Sequence, residues 1–430
     1  MNPSNPWLRR GRFLVLALAA ASAGAAAAGT PVSLSLWLHA GPGPERDVVQ
    51  ESLRRFNAAH PDIRVELAAL AEGGYTEQLE LAARKRSLPC LLELDGPTVA
   101  HWAEGGHLLP LDGLPGIDRL QRHLLRTIVQ QGTYRDRLYS LGQYDSGLAL
   151  WGNRRLLQKA GVRIPVGTRH PWTLDELESA LQALKKSGVP KPMDMKFNYG
   201  IGEWLTYGFS PILQSFGGDL VERGSATPRA SGVLNGPASV RALQVLQNWV
   251  RQGWVDAATK DDDDFVKGRS AISHVGHWVY RDYRKALGDD LVLMPMPRFG
   301  PKAVTGAGSW SWAVSAGCPN PQAAAQLLAH LMSRDEVLRV TQANGAVPAT
   351  LDAVLASPDH GVDGPLRLYV DQILEGTARV RPRTSHYPVI TLAFSTALRA
   401  IASGADVKTE LDRAAALIDS TVKNQPAIPR

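Results

Sequence analysis

Residues 32–37, Val-Ser-Leu-Ser-Leu-Trp, alternate apolar and polar positions without a break. Alternation at every second residue is the period of a strand with one buried face, so Val32–Trp37 is the first predicted strand. Gly41-Pro42-Gly43-Pro44 turns the chain. Val48, Val49, Leu53 and Phe56 then recur at helical spacing over Glu45–Ala59. A second strand follows at Pro61–Leu67, and strand, helix, strand in that order implies a right-handed parallel crossover. Tyr75–Ser87 reads as a helix and Cys90–Leu94 as a third strand, ended by Asp95-Gly96.

The middle of the chain, Leu138–Leu177, carries the densest local signals. Leu138–Leu141 alternates as a strand, Gln143–Gly147 interrupts it with small and polar residues, and Leu148–Trp151 resumes it. Arg154–Ala160 is a short predicted helix stopped by Gly161. Thr173-Leu174-Asp175-Glu176 has the spacing of a capping box, and Leu174, Leu177, Leu181 and Leu184 share one face of the helix that it opens. Further helices are predicted at Pro237–Gln252, Pro321–Met332, Arg334–Ala343, Ile390–Ser403 and Val407–Thr421, with Pro382–Pro388 as a loop. Tyr199–Leu213 stands out only as aromatic-rich.

Composition changes this picture in three places. A chain of 430 residues suits two domains. Met1–Gly29 has a basic start (Arg9, Arg10, Arg12), an apolar run at Phe13–Ala21 too short to span a bilayer, and small residues up to Ala28. That is the form of a secretory signal cleaved near Ala28. It fits Sec better than twin-arginine export, has no cysteine at the cleavage point for a lipid anchor, and makes a bacterial periplasm the expected compartment. Taking its three arginines from the 47 Lys and Arg leaves 44 against 41 Asp and Glu, a net +3 spread along the chain. Such a balance gives no electrostatic footprint for nucleic acid. Cys90 and Cys318 are the two cysteines. An exported chain permits a bridge between them, but their separation in sequence favours two separate buried thiols.

Several stretches together resemble the extracellular solute-binding proteins of ABC transporters, in the sugar-binding group that includes maltose-binding protein. The matching stretches are Phe56-Asn57 with His60–Val65, Trp102–Asp112, Leu150–Asn153, Leu156–Gly161, Trp172–Leu177 and Gly217–Asp219. Further on they are Phe265–Ile272 with Gly276-His277-Trp278, Met294–Pro297, Gly306–Val314 and Gly345–Ala349. The resemblance covers nearly all of the chain after residue 29, and the order of the motifs carries more weight than any one of them. It implies an α/β, two-lobed periplasmic-binding-protein fold with three hinge crossings and a ligand cleft between the lobes. One lobe would comprise residues 30–144 and 317–347, the other residues 148–312 and 352–430. The implied function is capture of a sugar or oligosaccharide by a monomer that delivers it to membrane permease subunits, with no cofactor, metal or nucleic acid.

Candidate site residues come from aromatics and carboxylates near strand ends, since sugar C–H faces stack on indole and phenol rings and carboxylates take the hydroxyls. Ligands of open α/β sheets gather at the carboxyl ends of strands, where Trp37, His39 and Asp95 fall. The resemblance adds Trp278 as the stacking residue, with Trp204, Tyr207, Trp310 and Tyr387, and with Tyr144 and Asp145 at the mouth of the cleft. Trp102, Trp249 and Trp254 lie on or beside predicted helices and read as core. The same fold could instead hold glycerol-3-phosphate, which would want an arginine such as Arg383 near the cleft, or a polyamine, which would want several acids. A glycosidase would need two facing carboxylates, for which Asp95 and Asp145 could be cast. Asp261–Asp264 could suggest calcium, but consecutive side chains diverge, so a solvated helix start is expected. His274-x-x-His277 lies in a predicted strand, where positions i and i+3 face opposite sides. Gly306-x-Gly308 lacks the rest of a phosphate-loop fingerprint.

Overall fold

The computed structural model describes residues 30–40, 43–224 and 227–425. The predicted signal, Met1–Gly29, lies outside the described residues. Two sheets organise the chain. The first runs Ile63–Ala69, Val32–Leu38, Leu91–Asp95, Trp310–Val314, Ser140–Leu141. Its first three strands are parallel, with Leu34 opposite Val65 and Leu36 opposite Leu91, while Trp310–Val314 lies antiparallel with Trp310 opposite Asp95. The second runs Leu291–Met294, Leu148–Asn153, Ile272–Gly276, Met193–Asp194. All six residues of Leu148–Asn153 are buried, as a strand with neighbours on both edges and layers on both faces must be.

Two short ladders lie where the chain passes between the sheets. Tyr144-Asp145 pairs antiparallel with Val347-Pro348, and Thr305–Ala307 pairs parallel with Ala378–Val380. Because Trp310–Val314 belongs to the first sheet, residues 310–312 do not go with the second lobe as the sequence reading placed them. The glycine-rich run ends its passage before Trp310.

Local signals mostly became elements of the predicted kind. The capping box is present in full: Glu176 N donates to Thr173 Oγ1 at 3.3 Å, and Thr173 N donates to Glu176 Oε2 at 2.9 Å. The aromatic-rich segment is a helix, Glu203–Phe216, whose residues from Trp204 to Ser215 are all buried. Burial on every side removes the polar stripe by which a surface helix is recognised, and Pro211 within it argues against a helix locally. Trp102 and Trp249 are core, and Trp254 packs against it.

The cysteine expectation is overturned. Cys90 and Cys318 form a disulfide with Cα atoms 4.5 Å apart across 228 positions of sequence. The pairing of Leu91 with Val314 sets this up, and Ser315 N donates to Cys90 O at 2.9 Å. The partner strand arrives from across the second sheet, so spacing along the chain held no sign of it.

Asp261–Asp264 opens a short helix, Asp263–Val266, with Asp261 and Asp262 exposed as a solvated helix start requires, while Asp264 is buried. Asp262 pairs with the buried Lys196 at 2.9 Å, Asp263 with Lys267, and the buried Asp264 with Arg269 at 2.5 Å. No described helix is long and apolar enough to cross a membrane.

Candidate functional site

Arg381 is the centre of the interlobe region. It follows the Ala378–Val380 strand and is 6 % exposed. Its Nη1 and Nη2 donate to the two oxygens of Asp95, both at 2.9 Å, in the forked geometry that suits guanidinium and carboxylate. Nη1 also donates to Glu203 Oε1 at 2.6 Å, and Nη2 to Gly308 O at 3.3 Å. Asp95 closes a strand of the first sheet, whereas Glu203 opens the buried helix beside the second. One cation thus joins carboxylates from the two halves of the molecule. Tyr387 Oη donates to Glu203 Oε1 at 2.5 Å and Thr391 Oγ1 to Oε2 at 2.9 Å. Burial raises the Glu203 carboxyl above the ordinary range, against the pull of Arg381.

An aromatic wall continues from this knot. The guanidinium sits 4.5 Å from the centre of the Tyr207 ring. Tyr207 is 6.4 Å from Trp278, and Trp278 meets Trp204 edge to face at 5.9 Å. Tyr199 packs edge to face on Trp204 at 5.4 Å. Trp204 is fixed from behind, its Nε1 donating to Met195 O at 3.2 Å. Trp278 and Tyr199 are 37 % and 36 % exposed, whereas Trp204 and Tyr207 behind them are buried. Gly276 makes room for Trp278, because a Cβ there would lie 2.0 Å from the indole.

On the first-sheet side, His39 stacks on Trp310 with ring centres 3.6 Å apart and planes 8° from parallel. His39 Nδ1 lies 2.6 Å from Glu93 Oε2. Tyr75 meets both rings edge to face, and its hydroxyl donates to Glu93 O at 2.8 Å. Trp37 is half-buried in the same cluster, where its carbonyl accepts from Tyr75 Oη at 3.2 Å.

Tyr144 and Asp145 are not at the mouth of the cleft. Both are buried inside a passage between the sheets, since their backbone pairs with Val347-Pro348. Tyr144 Oη donates to Glu45 Oε1 at 2.7 Å, and Asn344 Nδ2 donates to the same oxygen at 2.9 Å. Asp145 has no exposure, accepts from Gly308 N at 2.6 Å, and has its carboxyl raised by burial. Beside it Ser146 Oγ is 3.0 Å from His277 Nε2, whose Nδ1 is 3.0 Å from Asn344 O. Burial lowers both His274 and His277 to about 4. Among the described residues no three His, Cys, Asp or Glu side chains converge as metal ligands.

The structure therefore gathers Asp95, Tyr207, Trp204, Trp278 and Tyr387 around Arg381, and sets His39, Trp310 and Trp37 together on the other side. Tyr144 and Asp145 belong to the passage. Sequence reasoning missed Arg381, Glu203, Tyr199 and Glu93. Glu203 lay within the aromatic-rich segment, which was a usable signal. Arg381 lay two residues from the arginine that was named; Arg383 instead donates to the carbonyls of Gln130 and Thr133 at 3.0 and 3.3 Å.

Two sheets joined by several passages, with an aromatic and charged site between them, define a two-lobed binding protein. The chain matches the family described as bacterial extracellular solute-binding protein over residues 51–362, and it belongs to that family. It is 26 % identical over 314 residues to a Deinococcus radiodurans protein named "Probable ABC transporter-binding protein", covering 69 % of this chain and 71 % of the relative. Among solved structures it is similar to the GacH receptor of Streptomyces glaucescens, solved unliganded and with acarbose and an acarbose homologue. The TM-score is 0.76 at 22 % identity, over 92 % of this chain and 98 % of the receptor. The sugar-binding protein MalE of Xanthomonas citri gives a TM-score of 0.75 at 18 % identity, over 91 % and 98 % of the two chains.

Proposed function

We propose that this chain is the substrate-binding component of a carbohydrate ABC import system. It takes a sugar or oligosaccharide between its lobes and hands it to membrane permease subunits. The observation that carries this reading is the exposed Trp278 on an aromatic wall that runs into carboxylates held by Arg381. An apolar ring face beside fixed acceptors is the chemistry that a polyhydroxyl ring needs. The similar GacH receptor was solved with acarbose, and the similar MalE is a sugar-binding protein.

The lobes in this reading are residues 30–144 with the Trp310–Val314 strand and 317–347, and residues 148–307 with 352–430. The ligand touches both, binds the closed form better and shifts the population towards it. The protein acts as an exported periplasmic monomer, by binding alone, without cofactor or nucleic acid. Two observations support binding over glycosidic catalysis. Asp145 is sealed on Gly308 N, and Asp95 spends both oxygens on Arg381.

A thermal-shift screen of residues 30–430 tests the proposal, with maltodextrins, other oligosaccharides, sugar alcohols, glycerol-3-phosphate and spermidine. A ligand at 100 times its dissociation constant adds about 2.7 kcal/mol of stability. Stabilisation by a neutral sugar supports the reading. Stabilisation by only the phosphate or the amine, or hydrolysis of a sugar, removes it.

A further inference from the structure

Arg381 is almost fully buried, yet the carboxylates that it holds are not: the side chain of Asp95 is 16 % exposed and that of Glu203 is 32 % exposed. The guanidinium therefore lies beneath two partly open acids, one from each half of the molecule, and is held through both of its terminal nitrogens. Asp95 takes both of its forks, Glu203 one, Gly308 O another, and the Tyr207 ring covers its face at 4.5 Å. Tyr387 and Thr391 donate to Glu203 from the neighbouring helix.

We infer that Arg381 is a positioning residue that determines ligand class: it balances and aims the Asp95 and Glu203 carboxylates so that the cleft takes an uncharged polyhydroxyl ligand and rejects amines. The inference rests on the reading of the cleft as a sugar site. Two acids facing one pocket repel each other and an anion, and without a cation beneath them they form a site for an amine. With the guanidinium in place most of that field is spent inside the knot. What remains towards the cleft is acceptor lone pairs in fixed directions, which suit hydroxyl donors. Lysine cannot reproduce the arrangement, because a point charge lacks the fork that spans both oxygens of Asp95 while reaching Glu203.

The test uses the wild type, Arg381→Met and Arg381→Lys of residues 30–430 in isothermal titration. The probes are spermidine, glycerol-3-phosphate and a neutral sugar. The neutral sugar is whichever of maltotriose, cellotriose, trehalose and sorbitol raises the wild-type melting temperature most. The expected wild type binds only the neutral sugar. Arg381→Met binds it at least about 30-fold more weakly, since removing the cation leaves two neighbouring carboxylates uncompensated and no longer aimed, and gains measurable affinity for spermidine. Arg381→Lys loses sugar affinity but, with the charge restored, still refuses spermidine. The spermidine gain separates charge balance from mere structural support, which predicts weaker binding of everything. A Met variant within threefold of wild type for the sugar, or no spermidine binding by it, overturns the inference while leaving the sugar reading intact. If Arg381→Met does not fold, the Lys variant decides: sugar affinity within threefold of wild type overturns the inference. A wild type that binds none of the four neutral sugars removes the sugar reading and this inference together.

Discussion

The disulfide gives the largest stability effect that the structure allows to be calculated. Replacing Cys90 and Cys318 by alanine removes a link that closes 228 positions of sequence. On the chain-entropy account, a loop of that length lowers the entropy of the unfolded chain enough to contribute about 5.4 kcal/mol at 25 °C. The loop contains the whole second sheet, however. If that lobe stays folded while the first opens, the flexible part shrinks to residues 91–144 and 310–318, roughly 60 residues and about 4.3 kcal/mol. The expected loss for Cys90→Ala with Cys318→Ala is therefore about 4 to 5 kcal/mol. Each truncation also removes one buried or half-buried sulfur, a smaller effect of the same sign. The assay is equilibrium unfolding in urea without reductant, followed by far-ultraviolet circular dichroism and tryptophan fluorescence. A loss below about 1 kcal/mol would refute the entropic reasoning, and two titratable thiols in the native protein would refute the bridge itself.

Three further outcomes are expected. Trp278→Ala should weaken binding of a neutral sugar by about tenfold or more, the size of one lost stacking contact, and leave the melting temperature nearly unchanged because the ring is 37 % exposed; calorimetric titration checks the first and a thermal melt the second. The carboxyls of Asp145, Glu45 and Glu203 are raised by burial, so the native state holds protons that the unfolded state has released, and stability falls as pH rises above the ordinary carboxylate range. Asp145→Asn keeps the acceptor for Gly308 N and removes one such group; its melting temperature relative to wild type should improve as pH rises above the ordinary carboxylate range, and a relative decline would contradict the assignment. Gly308→Ala should cost about 1 to 2 kcal/mol from its left-handed backbone at φ 93° alone, read by urea unfolding, and should weaken sugar binding, because the new Cβ would lie 2.2 Å from Gln131 Oε1 beside Arg381.

How much of this could be read in advance depended on the range of each interaction. Val32–Trp37 alternates because one face of the strand is buried and the other is not, and Thr173 to Glu176 caps its own helix, so both signals are complete within a few residues. Asp95 and Trp278 could be nominated because a strand end and a strand-to-helix turn are local features that aim whatever residue stands there. Arg381 is different in kind. Its partners, Asp95, Glu203 and Gly308, stand 286, 178 and 73 positions away and come from three passages of chain. Nothing in Val380-Arg381-Pro382-Arg383 says which arginine is buried; that is decided by the pairing of Ala378–Val380 with Thr305–Ala307, a ladder of three residues too short to leave a periodic trace. Helix Glu203–Phe216 fails for the opposite reason, since burial on all sides leaves no contrast between faces. The helix packs on Pro237–Arg251 and Tyr387–Ala402 inside the second half, whereas Arg381 stands where the two halves of the molecule meet. An element there must satisfy neighbours from both lobes, so its composition answers to distant contacts more than to its own periodicity. Arg381 is thus hard to read from the chain because it joins the lobes, and, held by acids from both, it is the residue on which the choice of ligand turns.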